Sequence, residues 1–235
     1  MRTVVVLQSN YIPWKGYFDL IHDADVFIFY DDIQYTKNDW RNRNKLKTQK
    51  CTEWITIPVG TNKNRLICEV EINNMLWQSK HWKTIKQNYS KTPFFYLYKD
   101  FFKDIYLARK WCNLSELNQY LICSISKDFL GIKTDFKDSR EYCLSGNKFE
   151  RLFELLKKSS ADRYVSGPSA QEYIDVSYLV NAGITLIWKN YFGYPEYIQH
   201  SPPFEHCVSI LDLLFNVGPD ASWYIWGWRE GFPKP

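Results

Sequence analysis

The chain has 235 residues, enough for one good core and short for two domains. Aromatic residues make up 18%, including 10 Trp and 17 Tyr, whose polar tips need partners and suit grooves or interfaces. The net charge of +4 is modest for a protein that tracks a long nucleic acid, but it suits a compact anionic partner such as a nucleotide.

Thr3–Leu7 is a continuous apolar, β-branched run and predicts a strand buried on both faces. Tyr17, Leu20, Ile21 and Ala24 follow at helical spacing, and Val26–Tyr30 predicts a second buried strand. Together they form a βαβ unit with parallel strands, so Gln8–Gly16 and Asp31–Tyr35 both leave carboxyl ends, the edge where open α/β sheets bind ligands. Asp39–Lys50 is polar and basic. Trp54–Val59 and Leu66–Ile72 predict further strands joined by the turn-rich 60–64 stretch.

From Leu76 to about Leu130 the pattern is mostly helical, broken near Thr92–Pro93 and 113–115, which predicts a helical insertion. Phe149, Leu152, Phe153 and Leu156 form another helical stripe. Arg163–Ser166 predicts a strand, about 170–181 a helix, Ile184–Trp188 a strand, and Ser209–Asn216 a late helix. The expected fold is one α/β domain with a mainly parallel, Rossmann-like sheet and a mostly helical insertion at about 76–130.

Five constellations have chemical potential. In Gln8–Gly16, Gly16 opens a helix after a strand, where exposed amides favour phosphate. Lys15 adds a cation, and Tyr11 and Trp14 can stack on a ring; a rigid connection with Trp14 covering the core is the plainer alternative. The loop has a single glycine and is no dinucleotide fingerprint. Asp31 and Asp32 can hold Mg²⁺, orient a hydroxyl or act as a base, or can serve as a partner for arginines and as a turn former. Gln34 and Tyr35 add neutral hydrogen bonds.

Arg41, Asn42, Arg43 and Asn44 combine bidentate cations with donor–acceptor edges, or form a solvated basic loop. His81 is a candidate base titrating near neutrality, although most lone histidines are structural. His22 lies on the polar side of a helix, and His200 and His206 flank Pro202–Pro203. Ser166, Gly167 and Ser169 suit anion binding between a strand end and a helix, and Lys189 ends the next strand at the same predicted edge. Ser166 lacks the G-x-S-x-G elbow of an acyl hydrolase. The six cysteines and four histidines show no CxxC, HxxxH or HExxH spacing, so no metal site is expected. Scattered cysteines without a secretion signal, and no apolar run near the ~20 residues of a spanning helix, predict a cytoplasmic protein without membrane insertion.

Read together, these segments resemble the WbqC-like family: QSNYIPWKGYF at 8–18, DDIQYTKNDWRNRN at 31–44, HWKTI at 81–85, RYVSGPSAQEYID at 163–175 and SILDLLFN at 209–216. Each piece alone is a modest signal, but the set is specific and spans nearly the whole chain in family order. The family pattern places a proline after the first glutamine, where this chain has Ser9.

The resemblance implies an enzyme of O-antigen or surface-polysaccharide biosynthesis, transferring an acyl group such as glycyl to an amino sugar carried on a nucleotide. Such an enzyme needs an acyl donor activated as adenylate, thioester or aminoacyl-tRNA, and a base for the attacking amine. On this reading Asp31, Asp32 and His81 are the candidate catalytic residues. Gln8, Tyr11, Trp14, Gly16, Gln34, Tyr35, Arg41–Asn44, Ser166, Gly167, Ser169 and Lys189 are the candidate binding residues.

A looser likeness to ATP-using α/β enzymes such as pantothenate synthetase suggests ATP as energy source. Those enzymes have an HxGH motif where this chain has Pro13-Trp14-Lys15-Gly16. The alternatives are a nucleotidyl- or sugar-transferring enzyme using the same pocket, and a non-catalytic assembly protein with the tryptophan-rich tail as its contact surface. Nucleic acid is not expected as a partner except as an aminoacyl-tRNA donor.

Overall fold

A computed structural model of the chain describes residues 1–146, 148–172 and 174–235. Strand β1 (Thr3–Leu7), helix α1 (Lys15–His22) and strand β2 (Val26–Phe29) form the expected first unit, with Val4 opposite Val26 and Leu7 opposite Phe29 in parallel. Successive side chains of a strand face opposite sides, and here both sides are apolar. Val5, Phe27 and Phe29 enter the larger core cluster beside α1, whereas Val4, Val6, Val26 and Ile28 enter a second cluster on the other face. This double burial is why the strands read as unbroken apolar runs.

The next two strands, β3 (Arg43–Lys47) and β4 (Thr52–Thr56), form a separate antiparallel hairpin. Residues 43–47 are a strand rather than the expected polar, basic segment; their buried positions include Asn44 beside Leu46, which hides the apolar alternation. The strand expected at Leu66–Ile72 is instead a single helical turn at Ile67–Glu69, with Leu66 forming an isolated bridge to Gln34.

The insertion contains α2 (Leu76–Tyr89), α3 (Phe95–Lys103) and α4 (Leu114–Ser124). Its breaks fall at the predicted punctuation: α3 starts after Thr92–Pro93, and Asn113 caps α4 by accepting the Glu116 amide at 3.0 Å. Wide helical turns extend α3 over Asp104–Ala108 and α4 over Ile125–Phe129.

Strand β5 (Asp135–Asp138) follows, then α5 (Lys148–Lys158), β6 (Arg163–Ser166), α6 (Val176–Asn181), β7 (Thr185–Trp188) and α7 (Ile210–Val217). β5 has no counterpart among the expected strands, because an edge strand of sequence DFKD carries no apolar run. The helix expected at about 170–181 divides into a turn at Pro168–Glu172 and α6; Tyr173, between them, lies outside the described residues.

The five-stranded sheet has the order β5-β2-β1-β6-β7, and every pair is parallel. This is the Rossmann-like arrangement: the chain winds outward from β1 in one direction and then from β6 in the other. Loops leaving the carboxyl ends of β1 and β6 diverge, and the crevice between them is where such sheets bind ligands. Among the described residues, no helix is long and apolar enough to cross a membrane.

Candidate functional site

The loop from Gln8 to Trp14 leaves β1 at that switch point, and its backbone is held from several directions. Asn44 on β3, 1% exposed, donates from Nδ2 to the carbonyls of Tyr11 and Ile12 at 2.9 and 2.8 Å. The Ser9 amide donates to Asp31 at 2.8 Å, and the Tyr17 hydroxyl donates to the Gln8 carbonyl at 2.9 Å. The Tyr11 amide donates to the Trp40 carbonyl, and the Ile210 amide to the Pro13 carbonyl. Ile12 sits at φ +36°, a left-handed conformation rare for a β-branched residue. Such backbone persists only where its surroundings over-determine it, and it concentrates at binding and catalytic sites.

Beside this loop lies a cavity of about 260 Å³ lined by Asn10, Pro13, Trp14, Trp40, Asn44 and Cys207. The Trp14 indole packs against Tyr191 and Tyr194, with ring centroids 5.2 and 6.1 Å away. It lies directly over Gly16: a Cβ there would come within 2.3 Å of the indole. Gly16 therefore lets Trp14 fold back over the start of α1. Arg41 donates to Gln8 Oε1 at 3.1 Å and Asn10 Oδ1 at 3.2 Å, and pairs with Asp39 at 3.5 Å.

On the exposed face of the hairpin, the Arg43 guanidinium stacks 4.2 Å above the Trp54 ring, and Lys45 Nζ lies 5.4 Å from it. Trp40, 5.1 Å from Trp54, joins this platform to the cavity wall. Cavity and platform together offer aromatic faces, amide edges and cations.

Several residues chosen from sequence stand elsewhere. Tyr11 is fully buried, so its ring packs and does not stack on a ligand. Its hydroxyl meets His81 Nδ1 at 2.9 Å and the Tyr106 hydroxyl at 2.5 Å. His81 Nε2 faces the Thr56 carbonyl at 3.2 Å. A carbonyl only accepts, so Nε2 carries the proton and Nδ1 accepts from Tyr11. Burial pushes the imidazolium down to about 4. With both nitrogens engaged, His81 anchors the loop from beneath and has no free lone pair for a substrate proton.

Asp31 is likewise buried, and it accepts from the Ser9 amide, the Ser115 hydroxyl and Gln119 Nε2. It too positions the loop. Asp32 points away toward Ser139, 2.5 Å distant, and forms an ion pair with Arg151. Asn42 donates to the Ile57 carbonyl inside the hairpin base. Tyr35 is buried beneath the Arg65 guanidinium, and Gln34 and Ser169 are exposed away from the cavity lining.

Ser166 accepts from the Tyr164 hydroxyl at 3.2 Å, and Gly167 lies beside the Tyr191 hydroxyl, so the β6 loop borders the Trp14–Tyr191 contact without lining the cavity. Lys189 is buried in an ion-pair network. It contacts Asp19 at 2.9 Å and Asp23 at 2.5 Å; Arg229 joins both carboxylates, and the Tyr194 hydroxyl donates to Asp19. Lys189 therefore ties the end of β7 to α1 and offers no free charge to a ligand.

The sequence thus located the loop and Trp14, Gly16, Arg41, Arg43 and Asn44, which the fold brings together. It missed Asn10, Pro13, Trp40 and Cys207 as cavity walls. Asn10 and Trp40 lie inside motifs already singled out, whereas Cys207 carries no local signal. Lys15 was read only as an added cation; it is 3% exposed, and burial lowers its ammonium to about 8. Among the described residues, no group of three or more His, Cys, Asp or Glu is placed to hold a metal ion.

The WbqC-like protein family matches residues 8–224. The chain is 45% identical over 227 residues to an uncharacterised protein of Mycobacterium tuberculosis, Rv1507c, with 96% of this chain and 98% of that protein covered. No solved structure matches the chain. The family match runs from Gln8, the first residue of the strained loop, through the Arg41–Asn44 segment and Cys207, so the loop, the hairpin and the cavity all lie inside it and the chain belongs to the WbqC-like family.

Proposed function

We propose that this chain transfers an activated acyl group, such as glycyl, to the amine of a sugar carried on a nucleotide, within surface-polysaccharide biosynthesis. The observation that carries this reading is the aromatic cavity at the switch point of the sheet, joined through Trp40 to the Arg43–Trp54–Lys45 platform. A cavity of about 260 Å³ has room for one ring-sized group. The amino sugar occupies it between Trp14 and Trp40, beside the Asn10 side chain, while Asn44 keeps the loop carbonyls in place. The nucleotide then extends along the open hairpin face, where Trp54 offers a ring to the base and Arg43 and Lys45 offer charge to the diphosphate.

The test is direct. The protein is titrated calorimetrically with UDP-glucosamine and with free UDP, then incubated with the sugar nucleotide and a glycyl donor in adenylate, thioester or tRNA-ester form. The expected results are binding lost in Trp40→Ala and Trp54→Ala, and a product heavier by one acyl group joined through an amide. Pyrophosphate release or a glycosidic product would move the reading to nucleotidyl or sugar transfer. Absence of binding and of product with every donor would overturn it.

A further inference from the structure

The cavity has a chemically unusual neighbour in Lys15, the first residue of α1. Its side chain is buried, and its Nζ has no hydrogen-bond partner and no ion pair among the described residues. Instead it faces three rings: Tyr194 at 5.0 Å, and Tyr197 and Phe204 at 5.5 Å each. The charged and titratable groups within its electrostatic reach are Asp212 on α7, and Glu196, His206 and Cys207 from the segment before α7.

Asp212 is itself buried and accepts from the Tyr197 hydroxyl at 2.7 Å and Gln199 at 2.8 Å. Cys207 belongs to both surroundings, because it also lines the cavity. Lys15 moreover follows directly on Pro13 and Trp14, two more of the lining residues. An ammonium in this place is desolvated, compensated by ring faces and, without direct contact, by the carboxylates of Asp212 and Glu196.

A buried, unpartnered lysine amine is an expensive feature to leave idle, and this one stands directly behind Pro13, Trp14 and Cys207, which line the aromatic cavity beside the strained loop. The other candidate proton acceptors are occupied: Asp31 and His81 hold the loop, and Asp32 pairs with Arg151.

We propose that Lys15 is the proton acceptor of this site. The inference rests on the acyl-transfer reading and deepens it. The amine nitrogen of the sugar bonds to the acyl carbon, and the bond from that carbon to the leaving group breaks, the leaving group taking the electron pair. The proton that the nitrogen must lose passes to the neutral Lys15 amine, which then releases it to the departing group or to water. Asp212 stabilises the transient ammonium. With burial bringing Lys15 to about 8, roughly a quarter of the side chains are neutral at pH 7.5, poised to accept a proton and able to give it up.

Two measurements on the full chain decide this. In the first, competitive acetylation by acetic anhydride between about pH 6 and about pH 10 is read at Lys15 by peptide mass spectrometry. Lys15 reactivity is expected to titrate near 8, well below ordinary lysines, and to fall when UDP-glucosamine fills the cavity or when a maleimide caps Cys207. Reactivity that titrates with the surface lysines, or that ignores both occupants, overturns the proposal.

The second measurement compares K15R and K15M with wild type. Arg keeps the charge but cannot act as a base, so both variants are expected to lose roughly 100-fold or more in kcat. KM for the sugar nucleotide should change little, and the ascending limb of the pH–rate profile, which rises through about 8 as Lys15 loses its proton, should vanish. Restoration of turnover in K15A by added ethylamine would separate a lost base from a lost fold. Amide formation by wild type that persists undiminished in K15R overturns the role of Lys15 alone. Wild type that forms no amide from any donor fails the acyl-transfer reading, and the role of Lys15 falls with it.

Discussion

Asn44 holds Ile12 in its left-handed backbone: the amide Nδ2 of one donates to the carbonyl of the other at 2.8 Å, while Ile12 sits at φ +36°. The residue that shapes the loop after β1 thus comes from a different sheet, and it also contributes to the cavity wall.

Asn44→Leu keeps the branched outline of the side chain and removes both donors, leaving the buried carbonyls of Tyr11 and Ile12 without them. The expected cost is about 1–3 kcal/mol per unsatisfied buried group. It is read as a lower urea midpoint with unchanged slope, accompanied by loss of sugar-nucleotide binding. A variant with wild-type stability and binding would remove Asn44 from this role.

Gly16→Ala tests the fold of Trp14. The added methyl collides with the indole at 2.3–2.7 Å, so the ring must leave its seat between the start of α1 and Tyr191. Overpacking of this kind costs about 1–3 kcal/mol. The ligand affinity should fall further than stability does, because Trp14 is a cavity wall. A crystal structure with Trp14 unmoved would contradict the argument.

His81 predicts a pH dependence of stability. It is neutral when folded, and unfolding frees it to bind a proton below its ordinary 6.5. The folded state therefore binds fewer protons in that window. Its contribution is complete above about pH 6.5 and is lost as pH falls toward about 4. The full span is worth about 3 kcal/mol. Urea midpoints at pH 7 and pH 5 should differ less in His81→Gln than in wild type, and equal pH slopes would refute the assignment.

Asp19→Ala tests the ion-pair network beneath α1. Removing the fully buried carboxylate leaves Lys189 and Arg229 sharing only Asp23. Breaking a buried pair from one side costs about 3–5 kcal/mol. Lys189→Met should be milder, because Asp19 keeps its ion pair with Arg229 and its hydrogen bond from the Tyr194 hydroxyl. If Lys189→Met instead abolished ligand binding in a protein of wild-type stability, Lys189 would return to the ligand site.

Much of the candidate site was legible because its residues lie in continuous stretches. The loop after β1, Trp14, Gly16 and the Arg-Asn alternation are visible as a strand end, a helix start and a polar run. What misled was the chemistry assigned to buried groups. Tyr11, Asp31 and His81 carry polar atoms that suit catalysis, but polarity in the sequence does not reveal whether a side chain meets solvent or another side chain. Here they meet one another's neighbours across long separations: Tyr11 with His81, Asp31 with Ser115 and Gln119.

The sequence by itself determined the parallel α/β character, since strands buried on both faces must be apolar at every position, and helices must repeat near every third or fourth residue. It also placed the breaks of the insertion, because proline and a capping asparagine act locally. Only the tertiary structure decided the strand order, and hence which two loops diverge into a crevice. It alone brought Cys207 to the cavity wall, more than 190 residues along the chain from Pro13 and Trp14. It also decided which charges are neutralised: Lys189 finds Asp19 and Asp23, while Lys15, one residue before Gly16, finds rings. Burial and pairing depend on segments remote in the chain, and no local pattern encodes them.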